Sequence, residues 1–406
     1  MTFPLTNSEL RTHWRVVFAA AFGAGAGITG MSVYSLSVLI NPICDAFGWS
    51  RAEVSAAKTI LTAGFVLTGP VVGSLMDRVG ARRIGMVSLA LLSLGMLAMT
   101  QIGPGIASFY LLLFVLSLAG CGTTALVWTR AVATCFNESR GLALSLTLVG
   151  PGIVGVITPQ LLDALIQRFD WRAAYIAMAV FAALALVPVG AFFHERRGGK
   201  KFSTGSPATV SVTGLPFREV IRSRHFWQMA FAFLLIGSVV SALMVHLVPL
   251  ITDAGAARTI AVRIASVLGV AIIIGRMLTG VLVDRFHPPY VAGAFLIMPM
   301  LGCFLILVAP DSTMFLLVAV SCIGLAAGSE VDLLPYLTAR YFGLLDWGKI
   351  CGWMFTAFYM GVAVGPPIFG AMHDVFGNYD LALVFAVPVL GVGAFAIMTL
   401  GRTTTA

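Results

Sequence analysis

Runs of apolar residues long enough to cross a bilayer recur along this chain, broken by short polar stretches. They fall near residues 14–40, 55–76, 84–102, 106–135, 141–167, 173–193, 226–252, 262–282, 290–309, 313–341, 348–372 and 380–400. A helix rises about 1.5 Å per residue, so about 20 apolar residues match a hydrocarbon core of about 30 Å. The pattern predicts an all-α membrane protein with twelve membrane-spanning helices. Several runs are longer than a perpendicular span requires, which leaves room for tilt or for cavity walls that extend past the bilayer.

Composition strengthens that reading. Of the residues, 59% are hydrophobic and 10% charged, whereas a soluble domain carries about 25% charged residues. A formal charge of +8 would suggest nucleic acid in a soluble protein. Here it matters instead on which side of the membrane the cations sit. With the N-terminus inside, the breaks on the inner side hold seventeen of the 25 Lys and Arg, and the outer breaks hold six. The positive-inside rule then places both termini in the cytoplasm, in a multi-pass protein of the inner membrane. Arg130 and Arg276 are the two cations left within helices. Arg11 and Arg15 precede the first apolar run as in a signal peptide, but that run is too long for an h-region of about 7–15 residues and reads as a retained helix.

The six cysteines are scattered, with no metal-ligand spacing and no disulfide framework. No metal or cofactor is expected. No Gly loop with a following Lys-Ser/Thr cradles phosphate, and no Ser/His/Asp set assembles, so neither ATP-driven transport nor an enzyme is supported.

The longest polar break, residues 194–224, is basic and then rich in Gly, Ser and Thr. It reads as a flexible cytoplasmic linker between a first six-helix bundle, residues 1–193, and a second, residues 225–406. Within the break, Phe217 to Arg224 reads as an amphipathic turn on the membrane surface. The two bundles repeat one another. Gly73–Arg78 (GSLMDR) recurs as Gly280–Arg285 (GVLVDR) at an offset of 207, which Pro159 and Pro366 share. A duplicated six-helix unit is the organisation of many secondary transporters.

These residues resemble the major facilitator superfamily. Its loop signature between the second and third helices appears here as GSLMDRVGARR, Gly73 to Arg83. The resemblance implies two pseudo-symmetric six-helix bundles with a cytoplasmic gate of Gly73, Asp77, Arg78, Arg82, Arg83, Asp284 and Arg285. Three further places resemble the monocarboxylate-transporter branch and its oxalate–formate exchanger relatives. They are the loop NPICDAFGWSRAEVS (Asn41 to Ser55), the fifth-helix series Arg140, Leu142, Ala143, Ser145, Thr147, Val149, Gly150, and Arg276 in the eighth helix. In the fifth-helix series the family spacing is kept while three small residues are enlarged. In that branch the eighth-helix arginine binds a carboxylate. The chain also departs from the branch. Ile272 stands where animal members carry an Asp, Tyr34 where they carry a Lys, and Met360 where oxalate exchangers carry a second central cation. One deep cation favours a singly charged substrate.

Arg276 is the residue that demands explanation. It lies about 12 Å from Asp284 and about 20 Å from Arg263 along its helix. A guanidinium at such depth costs about 2.5–3.5 kcal/mol and cannot shed its charge. Its planar fork can hold a carboxylate with two parallel hydrogen bonds. Tyr34, His246, Tyr336 and Tyr359 are candidate substrate contacts, each with a packing or carbonyl-satisfying role as the alternative. Glu330 and Asp332 in the tenth helix point about 200° apart. Either can pair with Arg276 when the carrier is empty or accept a co-transported proton; a static ion pair with Arg130 is the alternative.

The expectation is a secondary transporter of small organic anions, monocarboxylates first, working by alternating access with proton symport or exchange of a counter-anion, in the lipid bilayer and without nucleic acid. Proton-coupled efflux of drugs or amphiphiles is the second reading, and a non-transporting carboxylate receptor the third.

Overall fold

The computed structural model of the chain describes residues 8–50, 53–54, 56–195, 214–253, 258–310 and 312–401. Fourteen helices carry the fold: α1 (Ser8–Gly25), α2 (Tyr34–Phe47), α3 (Ala57–Val79), α4 (Ala81–Met99), α5 (Ile106–Gly120), α6 (Ala125–Cys135), α7 (Arg140–Arg168), α8 (Trp171–Phe192), α9 (Arg224–Asp253), α10 (Arg258–Arg285), α11 (Pro288–Val308), α12 (Thr313–Phe342), α13 (Trp347–Phe376) and α14 (Asp380–Met398). Among the described residues, eleven helical spans are long and apolar enough to cross a membrane, with α5 and α6 counted as one. The first apolar run forms the remaining crossing as a broken helix, α1 and α2 joined through a π turn at Thr29–Val33.

The break in the first crossing meets the break in the fourth. Between α5 and α6 the chain makes a 3-10 turn, Cys121–Thr123, and Thr124 is extended. Away from water every backbone donor needs a partner. The Ile28 amide, freed by the first break, donates to Thr123 Oγ1 at 2.9 Å, and the Trp128 indole donates to the Thr123 carbonyl at 2.9 Å. The second break thus satisfies an amide of the first and is itself closed by its own tryptophan.

Helix ends follow local chemistry. Only Gly80 separates α3 from α4, at φ +98°, a conformation that side chains disfavour. Asp170 caps α8 by accepting from the amides of Arg172 and Ala173 at 2.8 and 3.1 Å. Of the expected linker, residues 196–213 lie outside the described residues. Its far end folds onto the second half: Phe217–Val220 is a helical turn, the Phe217 amide donates to Asp346 at 2.8 Å, and Lys349 sits over the Phe217 ring.

The first half, α1–α8, meets the second, α9–α14, along two seams: α3 against α13, and α7 against α10. Both seams are backbone-on-backbone crossings. Gly69 faces Gly352, Gly73 faces Gly348, and Gly141 faces Gly280. Among the described residues, the cross-half hydrogen bonds lie between mid-bundle and the end that carries both chain termini. The two halves are closed against each other at that end.

Candidate functional site: a buried arginine and the seams beneath it

Helices α10 and α12 approach closely because small residues line their contact. Gly275 lies against the Leu325 backbone, and a Cβ at Gly328 would lie 3.0 Å from the Arg276 amide. This closeness brings Arg276 to Asp332. Arg276 Nη1 donates to Asp332 Oδ1 at 2.8 Å, and Ser145 on α7 donates to Asp332 Oδ2 at 2.7 Å. Asp332 is 3% exposed and the arginine side chain 12%. The guanidinium engages the acid through one nitrogen; its Nε is buried without a hydrogen-bond partner. Glu330 is also buried, and its Oε2 has no partner.

The repeated Gly-x-x-x-Asp motif finds its physical meaning at the seams. Gly73 and Gly280 let the partner helix approach, and the aspartate one turn on reaches that helix's first amides. Asp77 accepts from the amides of Gly348 and Lys349 at 3.0 and 2.8 Å, at the start of α13. Asp284 accepts from Gly141 and Leu142 at 2.8 and 3.0 Å, at the start of α7. Helix N-termini carry unpaired amides and partial positive charge, so a carboxylate is the natural cap. Arg130 forms an ion pair with Asp77. The alternative pairing of Arg130 with Glu330 or Asp332 is therefore corrected: α6 aims Arg130 at the acid of the neighbouring α3 instead.

The other sequence candidates divide. Arg78 and Arg285 are exposed at the ends of α3 and α10. Arg82 donates to the Gly190 carbonyl of α8, within the first half. Arg83 lines a surface cleft of about 440 Å³ with His194 and Glu195. Tyr336 donates to the Val283 carbonyl at 2.9 Å, beside Asp284, which commits its hydroxyl to the seam. Tyr359 packs its ring against Phe65, Phe355 and Phe358, with the Phe65 contact crossing the α3–α13 seam. His246 sits between Tyr379 Oη at 2.9 Å and the Pro366 carbonyl at 3.0 Å. A carbonyl only accepts, so Nε2 carries the proton, and in the neutral ring Tyr379 donates to Nδ1. The side chain of Tyr34 lies outside the described residues. Met360, at the position of the exchangers' second cation, is 46% exposed on α13.

The whole-chain comparisons agree with this architecture. A family model described as Major Facilitator Superfamily matches residues 21–345. The chain belongs to the Major Facilitator Superfamily. Among curated relatives of this superfamily member, monocarboxylate transporter 13 of Rattus norvegicus is 28% identical over 392 residues, covering 95% of this chain and 88% of the relative. Monocarboxylate transporter 11 of Mus musculus is 27% identical over 402 residues, covering 96% and 88%. Among solved structures, the E. coli fucose:proton symporter FucP superposes with a TM-score of 0.76 at 15% identity, over 98% of this chain and all of that one. The human organic anion transporter MFSD10 superposes at 0.73 and 15% identity, over 97% of this chain. Fold and relatives are those of transporters, not enzymes.

Sequence reasoning missed Ser145 as a functional residue. Its signal was present as one of the enlarged small positions in the fifth-helix series, where a hydroxymethyl group stands in place of a hydrogen.

Proposed function

We propose that this superfamily member moves a small organic anion, a monocarboxylate first, across the cytoplasmic membrane around Arg276, coupled to a proton or a counter-anion. The excess of cations on one side supports cytoplasmic termini; on this reading the closed end is the cytoplasmic one and the site is approached from outside. The observation that carries this reading is the Arg276–Asp332 pair. A carboxylate of the protein's own occupies one nitrogen of the only guanidinium that the sequence places deep in the second half, leaving Nε without a partner. A substrate carboxylate is chemically equivalent to that occupant and, unlike it, is free to turn and engage two nitrogens at once.

Two ways of releasing Arg276 define the coupling. If Asp332 takes up a proton, it loses its hold and substrate and proton travel together. If the arriving anion displaces an ionised Asp332, the carrier exchanges anions. Glu330, buried on the same helix with its Oε2 unpartnered, is the second acid that can take up the proton.

The test is uptake of small monocarboxylates into proteoliposomes, with and without a pH gradient. Arg276→Lys keeps the charge and loses the fork. A drop of about tenfold to a hundredfold is expected, on the scale of one charge-assisted hydrogen bond. Near-normal uptake by correctly inserted Arg276→Lys rejects the site. Asp332→Asn that retains exchange but ignores the pH gradient assigns the proton to Asp332; a pH-independent wild type assigns exchange.

Efflux of amphiphiles is the second reading. It is favoured by an apolar cavity of about 450 Å³ between α1, α7 and α8, lined by Phe18, Phe22, Ile153 and Phe181 among others. A drug-resistance assay in cells discriminates between the two.

A further inference from the structure

Serine and threonine in membrane helices usually return their hydroxyl to a carbonyl of the same helix. Thr147 does so on α7, donating to Ala143 at 2.9 Å, and Thr129 and Ser329 follow the same habit on their helices. Ser145 does not. Fully buried between the halves, it donates across the interface to Asp332 Oδ2 at 2.7 Å, while the other oxygen of that acid holds Arg276 at 2.8 Å.

What lies around Ser145 gives this bond its consequence. On α10, Arg276, Gly280 and Asp284 are spaced by four and form one stripe about 12 Å long. On α7, Gly141 and Ser145 are also four apart. The two stripes face each other. A Cβ at Gly280 would lie 2.5 Å from Ser145 Oγ and 2.8 Å from the Gly141 carbonyl, and the Gly141 amide is held by Asp284 at 2.8 Å. One uninterrupted seam therefore runs from the charged pair to the helix cap at the closed end, and Ser145 is where the charged pair enters it.

We infer that Ser145 is the positioning residue through which the state of Asp332 governs closure of the α7–α10 seam. This rests on the anion-site reading above. With Asp332 ionised, the hydroxyl makes a charge-assisted bond that draws α7 onto α10 and α12. When Asp332 is protonated or swings away from Arg276 to admit an anion, that bond weakens or breaks, and Gly141 and Leu142 are left held by Asp284 alone. Loading the site and freeing the closed end become one event, with no direct contact between cargo and gate.

The test needs no substrate. Spin labels at exposed Glu138, beside the start of α7, and exposed Phe286, just past α10, report the width of the closed end in a cysteine-free background. Loss of a charge-assisted bond is expected to raise the open population about tenfold in Ser145→Ala. Asp332→Asn, which also removes the negative partner of Arg276, is expected to raise it at least as far, and the double variant no further than Asp332→Asn alone, because the Ser145 contribution passes through that acid. An unchanged distance distribution in monodisperse Ser145→Ala overturns the inference, as do effects that add in the double variant. Uptake by Arg276→Lys is a separate measurement, so the cargo site and this linkage can fail independently.

Discussion

Adding one methyl group to the α3–α13 seam should force the closed end open. Gly348 donates its amide to Asp77 at 3.0 Å, and a Cβ built on it would lie 2.6 Å from the Gly73 carbonyl oxygen and 2.7 Å from Asp77 Oδ1. Ordinary contact begins at 3.4 Å, so in Gly348→Ala the helices must part by 3.4 minus 2.6, or 0.8 Å. Both opposing atoms belong to a rigid helix or to its capping acid, so a flexible side chain cannot simply move aside. The same displacement carries the Gly348 bond to Asp77 from 3.0 to 3.8 Å, beyond the range in which N–H donors hold an acceptor, and lengthens the neighbouring Lys349 bond from its 2.8 Å. A backbone bond to a carboxylate contributes about 1.5–3 kcal/mol, so losing one and weakening another disfavours the closed form by about 2–3 kcal/mol. At 1.4 kcal/mol per factor of ten, that is roughly a 30- to 150-fold shift. Paired spin labels at exposed Glu138 and Leu345 should show the long-distance population rise accordingly. Gly269→Ala is the control, since nothing lies within 4 Å of the added atom. An unaltered distribution in well-folded Gly348→Ala refutes the claim that backbone proximity at the seams sets the resting state.

Arg130→Ala strands Asp77 beside a gap, so the yield of monodisperse protein should fall, and adding Asp77→Asn should recover part of it; equal yields for the single and double variants would refute the pairing argument. His246→Ala leaves the Pro366 carbonyl and the Tyr379 hydroxyl short of a partner, which should lower the thermal midpoint in detergent by about 2–4 °C; an unchanged midpoint counts against it. Ser50 and Glu53 form a reciprocal capping box, with the Ser50 amide donating to Glu53 at 2.8 Å and the Glu53 amide donating to Ser50 Oγ at 3.2 Å. The Ser50 amide, and after it the Ser50 hydroxyl, which also donates to the carboxylate at 2.8 Å, hold the Glu53 carboxyl below its ordinary 4.5. Its contribution is therefore fully present above that value and lost as pH falls through the lowered one. Hydrogen exchange at the Ser50 amide should stay slow, relative to the intrinsic rate, from about pH 6 down to the ordinary carboxylate range and quicken below it; no quickening refutes the box.

Much of this was legible in the chain because membranes impose blunt rules. Length and hydropathy place every crossing, and the offset between Gly73–Asp77 and Gly280–Asp284 reveals the duplication. What one dimension hides is which helix face meets which neighbour. Periodicity separates Glu330 from Asp332 by most of a half-turn, yet it cannot say which of them α12 turns toward α10. Arg130 stands out as a cation within a helix, but its partner Asp77 is 53 residues away in the chain and meets it only through the packing of α3 and α6. Tyr336 follows Asp332 by one turn, and that turn is enough to move its hydroxyl from the charged pair to the Val283 carbonyl. The first crossing reads as one uninterrupted run, because Gly23, Gly25, Gly27 and Gly30 are as apolar as a spanning helix while permitting the break that Thr123 completes.

The glycine pairs at the two crossings have a consequence for descent. Neither member of a pair can gain a side chain unless its opposite already leaves room, and both members already lack one, so these sites are expected to drift far more slowly than those lining a binding pocket. Cousins of this carrier that have taken up unrelated cargoes should therefore differ at position 276 and its neighbours while still matching at 73, 141, 280 and 348. Ancestry would be read from where two backbones touch, and diet from everything between.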